Sequence, residues 1–169
     1  MEESTEFHTI SILFSRYSGF VSQLLYLVSG REFTHSSIAL DTNDEYFYSF
    51  NTKGFRREHP IRHKNRHKRT LCLRIKIDNE SYEKLHSMIE EFNKERESWS
   101  YNWVGIFACI VHIPVKRKRQ YFCSQFIADL LQKAGTIKWR KNVSLYLPNA
   151  LKEELIDRDM VVEMVEDII

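Results

Sequence analysis

Cys123 stands at the front of "YFCSQFIADLLQKAG" (121–135), a stretch whose apolar residues recur at helical spacing and stop at Gly135. A thiol attacks only as its thiolate, and the roughly half positive charge at a helix N-terminus lowers a thiol pKa. The position therefore suits acyl chemistry, against the alternative of a small buried hydrophobe filling the helix face. A nucleophilic cysteine also needs a base, and no histidine lies beside it in sequence. Of the seven histidines, His35 in "FTHSSIAL" (33–40) interrupts an otherwise strand-like run. Its neighbours Ser36 and Ser37 are small, which leaves room for an imidazole and a substrate. The other cysteines, Cys72 and Cys109, fall in an alternating strand pattern and an apolar helix pattern. Both read as inert core thiols, and three widely spaced cysteines without a C-x-x-C pair argue against a disulfide framework.

Elements that position the pair follow from periodicity. "HTISILF" (8–14) reads as a strand and "SGFVSQLLYLVSG" as a helix stopped by Gly30. "FTHSSIAL" and "EYFYSF" (45–50), joined by "DTND", read as a hairpin. "TLCLRIKI" (70–77) alternates as a half-buried strand does, and "NESYEKLHSMIEEFNKERESW" reads as a long helix capped by Asn79. "WVGIFACIVHI" (103–113) reads as a buried helix, and "SLYLPNALKEEL" and "MVVEMVEDII" as a helical turn and a closing strand. The expectation is one domain over residues 1–169, of class α+β, with a mainly antiparallel sheet.

"FTHSSIALD" and "YFYSF", followed far downstream by "YFCSQFIADLL", together resemble the circularly permuted papain-like cysteine hydrolases. This is the NlpC-type peptidase group, which also contains relatives of lecithin:retinol acyltransferase. The resemblance covers most of the chain, including the proline-led "LYLPNAL" (145–151), and "HSSIALD", "YSF" and "GFRRE" are similar to uncharacterised bacterial members. It implies a permuted papain-like fold with the cysteine helix packed on the sheet, Cys123 as nucleophile, His35 as its base, and a polar residue on the next strand to orient the imidazole. The group usually places His, Glu, Asn or Gln at that third position. Here period two offers Ser49 first and Asn51 second. The oxyanion would be held by the Cys123 N–H and by Tyr121, with Asn51 and Ser36 beside the substrate.

Net charge is +2, yet eleven of the 25 Lys and Arg residues sit in "RREHPIRHKNRHKR" (56–69) and "KRKR" (116–119). The first, with Arg56, Arg57, Arg62, Lys64, Arg66, Lys68 and Arg69, reads as a surface loop suited to an anionic partner. His59, His63 and His67 recur at metal-ligand spacing, but Pro60 and the surrounding cations oppose a metal site, and no cofactor is expected. No apolar run reaches the roughly 20 residues of a membrane helix, and the acidic "MEESTEF" lacks a secretory pattern, so a cytoplasmic location is expected. The expected function is a cysteine hydrolase that cleaves a peptide or isopeptide-like amide through an acyl-enzyme on Cys123. Alternatives are a lipid-acting thiol acyltransferase or thioesterase, and a non-catalytic module holding lipid or nucleic acid on the basic loop.

Overall fold

The computed structural model describes residues 6–17, 19–28, 32–61 and 67–168. Gly30, Arg62, His63, Lys64 and Arg66 lie outside them, as do the side chains of His67 and Lys68. The chain is α+β with a mostly antiparallel sheet. In order it forms β1 (Phe7–Tyr17), α1 (Phe20–Val28), β2 (His35–Ala39), β3 (Phe47–Asn51), β4 (Gly54–Glu58), β5 (His67–Asp78), α2 (Asn79–Lys94), β6 (Ser100–Tyr101), α3 (Trp103–Ile110), β7 (Gln120–Tyr121), α4 (Cys123–Ala134), α5 (Pro148–Asp157) and β8 (Val161–Glu166). Six strands pair antiparallel in the order β4-β3-β2-β1-β5-β8, while β6 and β7 form a short parallel ribbon.

β5 is buried from Thr70 to Ile75, not alternately exposed as its sequence suggested. Its neighbours are β1 and β8, and both of its faces are covered. Leu71, Leu73 and Ile75 enter the main core, while Cys72 packs with Leu13, Ala39 and Phe47 in a second cluster. Arg74 is also buried, its guanidinium forked onto the Asp44 carboxylate at 2.5 and 2.6 Å.

The main core lies between the sheet and helices α2 and α4. Leu85, Ile89 and Phe92 of α2 recur at helical spacing on its buried side, and the helix is capped by Asp78, whose Oδ1 accepts the Ser81 N–H at 2.8 Å. Asp78 thus replaces Asn79 as the cap, its charge being favoured by the helix dipole. α4 contributes Phe126, Ile127, Leu130 and Leu131, and ends on Gly135 in the left-handed region, φ 86°. Phe50, Phe55, Phe92 and Phe126 form an edge-to-face and stacked cluster with centroids 5.1 to 5.9 Å apart.

Two expectations need correction here. The basic stretch 56–69 is not one loop, because Arg56 and Arg57 belong to β4 and Arg69 to β5. The hairpin that creates β4 turns through Gly54 (φ 91°), whose added Cβ would meet the Trp99 carbonyl oxygen at 2.2 Å. The helix α3 is buried on one side only: Ile106 and Cys109 face the core, while Trp103, Val104 and Phe107 are exposed.

Candidate active site

α4 begins at Cys123, in the first turn, where amide groups have no intrahelical partner. Cys123 is 2% exposed, and its sulfur meets the imidazole of His35, the first residue of β2, which is 8% exposed. His35 Nε2 lies 3.0 Å from Glu58 Oε2, which leaves Nδ1 for the thiol. Tyr17 holds the ring edge-on from the side, centroids 5.0 Å apart. Cys123, His35 and Glu58 therefore form a continuous line of hydrogen-bonded groups.

Glu58 is the functional candidate that sequence reasoning missed. Ser49, expected to orient the imidazole itself, instead donates its hydroxyl to Glu58 Oε1 at 2.6 Å. Asn51, the second candidate, also hydrogen-bonds Glu58. Both serve the carboxylate, and the carboxylate serves the ring. The physical reason is local: β4 lies inside a cationic run, where two arginines mask the alternation that would mark Glu58 as a strand residue.

Electrostatics follow from that line. Burial opposes a charged ring, but the Glu58 carboxylate and the hydrogen bonds to Cys123 and Glu58 outweigh it and raise the His35 pKa to about 10. Burial likewise opposes ionisation of Glu58 and Cys123, yet the His35 ring, with Ser49 and Asn51 at the one and Ser36 at the other, holds both below their ordinary values. The arrangement favours thiolate, imidazolium and carboxylate together. By contrast, burial pushes Cys72 up to about 12 and Cys109 up to about 11.

Ser36, expected beside the substrate, is buried and turned toward the sulfur of Cys123. Both its N–H and its hydroxyl favour the Cys123 thiolate, and its buried Oγ has no other hydrogen-bond partner among the described residues. Tyr121, expected as an oxyanion donor, turns its hydroxyl to Asp129 Oδ2 at 2.6 Å. Its ring packs among Phe50, Trp99 and Phe126. Tyr101, its partner across the β6–β7 ribbon, instead lines the cleft with Cys123, and burial followed by the nearby thiolate raises its pKa well above the usual phenol value. A hydroxyl so held stays protonated and able to donate.

Side-chain amides fix these walls. Asn102 caps α3 by accepting the Gly105 N–H at 2.8 Å and donates to Gln125 Oε1 at 3.2 Å. The same oxygen accepts the Phe122 N–H at 3.3 Å, and Gln125 Nε2 donates to Ser144 Oγ at 3.2 Å. Asn149 of α5 brackets Phe33, two residues before His35, accepting its N–H at 2.9 Å and donating to its carbonyl at 3.2 Å.

The site opens into a cleft of about 680 Å³ lined by Tyr17, Leu25, Phe50 and Tyr101 among others. Among the described residues no group of three or more His, Cys, Asp or Glu is arranged to hold a metal ion, and no helix is long and apolar enough to cross a membrane. Compared with known proteins, the sequence matches no protein-family model and no curated protein.

Proposed function

We propose that the protein is a cysteine hydrolase of the permuted papain-like type, acting on a peptide or isopeptide-like amide. The observation that carries this reading is the line Cys123–His35–Glu58, in which a helix-start thiol with lowered pKa meets an imidazole paired to a carboxylate. In the reaction, the Cys123 thiolate forms an S–C bond to the carbonyl carbon. The oxyanion is held by the Cys123 N–H and the Tyr101 hydroxyl. The His35 imidazolium gives its proton to the leaving nitrogen as the C–N bond breaks, leaving a thioester. Neutral His35 then takes a proton from water, the new C–O bond displaces sulfur, and the acid product leaves with the thiolate restored.

The test is the rate of iodoacetamide alkylation at each cysteine from pH 4 to 9, read by peptide mass spectrometry in wild type and His35→Ala. Low-pH reactivity at Cys123 that disappears with the histidine is the expected result. A Cys123 that titrates like a free thiol, near 8.5, would end the catalytic reading. Amide substrates are then screened for turnover dependent on Cys123.

A second reading, a thiol acyltransferase or thioesterase acting on lipid esters, draws on the exposed Trp103, Val104 and Phe107 of α3. Trp103 stacks edge-on against the cleft-lining Tyr101, centroids 4.9 Å apart, and the exposed cations Lys116 to Arg119 lie just downstream. An apolar lip flanked by cations suits an anionic lipid surface. Flotation with anionic and neutral liposomes separates the readings, because a peptide hydrolase stays in the aqueous fraction with both.

A further inference from the structure

The charges of the cleft are unbalanced. Lys53, Arg56, Arg57 and His59 line it, whereas Glu58 is its one carboxylate among the described residues, and Glu58 is engaged by His35 and Ser49. No acid pairs with Lys53, Arg56 or Arg57 among the described residues. The two arginines have neutral partners: the Arg56 guanidinium donates to the Phe55 carbonyl at 2.6 Å, and that of Arg57 lies 3.7 Å over the Tyr46 ring. Elsewhere the protein pairs its cations readily, as Arg74 with Asp44, Arg119 with Glu95, and Arg140 with Asp157. Position matters as well as number. Arg56 sits directly across from Ser49, which holds Glu58, and Lys53 stands in the β3–β4 turn between Asn51 and Gly54. The cations are thus built on the same hairpin that supplies the carboxylate of the site.

We infer that this hairpin forms an anion-recognising subsite, so that the substrate of Cys123 carries a carboxylate or phosphate group near the bond to be cleaved. The inference rests on the hydrolase reading and adds to it the chemical class of the substrate. A planar guanidinium at half-buried Arg56 suits two-point contact with either anion, and exposed Lys53 and Arg57 supply attraction at longer range. The thiolate, imidazolium and carboxylate of the site together carry one negative charge, which offsets one of the three cations, so the substrate's own charge is what would balance the remainder on binding.

Two alkylating agents of the same size separate charge from chemistry: iodoacetamide, which is neutral, and iodoacetate, which carries one carboxylate. Their second-order rates at Cys123 are measured near neutral pH and low salt in wild type, in Lys53→Gln/Arg57→Gln, and in Arg56→Gln. The iodoacetate-to-iodoacetamide ratio is each variant's own control for folding and thiolate content. The expected ratio in wild type exceeds that of the two variants lacking the cations by about tenfold, and collapses similarly in high salt. A ratio unchanged by the substitutions overturns the subsite while leaving the hydrolase reading standing, since His35 alone would then account for it. A Cys123 inert to iodoacetamide removes the hydrolase reading and the subsite with it. Protection of Cys123 from iodoacetamide by N-acetylglutamate or by glycerol 3-phosphate, against neutral glycerol, identifies the carboxylate or the phosphate as the preferred group. Equal failure of both anions to protect overturns the inference.

Discussion

Glu58 Oε2 lies 3.0 Å from His35 Nε2, and through that contact an edge strand governs the protonation of a thiol on a helix it does not lead into. Glu58→Gln keeps the shape and the acceptor oxygen but removes the charge that holds His35 ionised. The His35 pKa should fall from about 10 toward the ordinary imidazole range, and Cys123 should lose thiolate at neutral pH. Alkylation below pH 7 and turnover should both fall, turnover by about 10²-fold. Ser49→Ala should have a smaller effect in the same direction, since it removes one hydrogen bond to the carboxylate and leaves the charge. An unaltered pH profile in Glu58→Gln would dismiss its positioning role.

Stability should carry the same signature in its pH dependence. His35 is raised from 6.5 to about 10, so its contribution is complete below about pH 6.5 and is lost as pH climbs through 10. Glu58 is lowered from 4.5, so its contribution is complete above that value and is lost as pH falls through the depressed one. Cys123→Ala removes the thiolate that helps hold the proton on His35. Its alkaline decline in Tm should therefore begin at a lower pH than in wild type, as scanning calorimetry across pH 4 to 10.5 would measure. Superimposable alkaline limbs would contradict thiolate–imidazolium coupling.

Cysteine selectivity follows from burial and partners. With Cys72 pushed up to about 12 and Cys109 to about 11, neither should react with iodoacetamide below pH 9 in the folded protein. Cys123 should carry essentially all the label, and urea should release the other two together. Label spread evenly over the three sites in the native state would mean that the sulfur environments differ less than their surroundings imply.

Gly54→Ala should damage both fold and site. Its φ of 91° and the 2.2 Å approach of a Cβ to the Trp99 oxygen leave no room for the methyl, at a cost of about 1–3 kcal/mol. Because Gly54 opens the strand that ends in Glu58, the Cys123 pH profile should shift toward that of Glu58→Gln. Chemical denaturation and alkylation on the same sample would show whether the two losses go together.

Phe126→Ala tests the packing beneath Cys123. The ring is fully buried against Phe50, Phe55, Phe92 and Tyr121, so its removal should destabilise by about 3–5 kcal/mol in urea unfolding. A loss under about 1 kcal/mol would mean that the aromatic cluster collapses freely into the space.

Much of the sheet and the cysteine–histidine pair was legible in the sequence because apolar periodicity is a long signal. β1, the β2–β3 hairpin, β5, α2 and α4 each run for enough residues to declare a period. β4 is five residues long with two arginines in the middle, and charge masked its alternation. The turn "NTKG" after a strand, ending in a glycine before Phe55, was the signal that could have revealed it and brought Glu58 into view. Tyr101 and Tyr121 sit in matched two-residue strands, and nothing in their spacing ranks one above the other; only the Asp129 carboxylate, one turn into α4 and beyond, claims Tyr121. The exposure of α3 was equally hidden, since an apolar segment reads as buried whichever side it presents.

The Asn102–Gln125 contact has a direction. Each amide is locked by the next, with the Gln125 oxygen taking two N–H groups and its nitrogen giving to Ser144, so reversing one carboxamide would require reversing its neighbour and would leave Gly105 N–H or Phe122 N–H stranded. Gly105 is tied into the same arrangement, since a Cβ there would lie 2.1 Å from Asn102 Nδ2. The gap between Cys123 and Tyr101 is therefore set by an amide relay with one permitted polarity, not by the length of chain joining the two helices. The exposed segment Lys116 to Lys118 is tied back to α4 by the Lys116 ammonium on Asp129 Oδ1 at 3.2 Å, so its charge is anchored there while the spacing of the two walls is held by the relay.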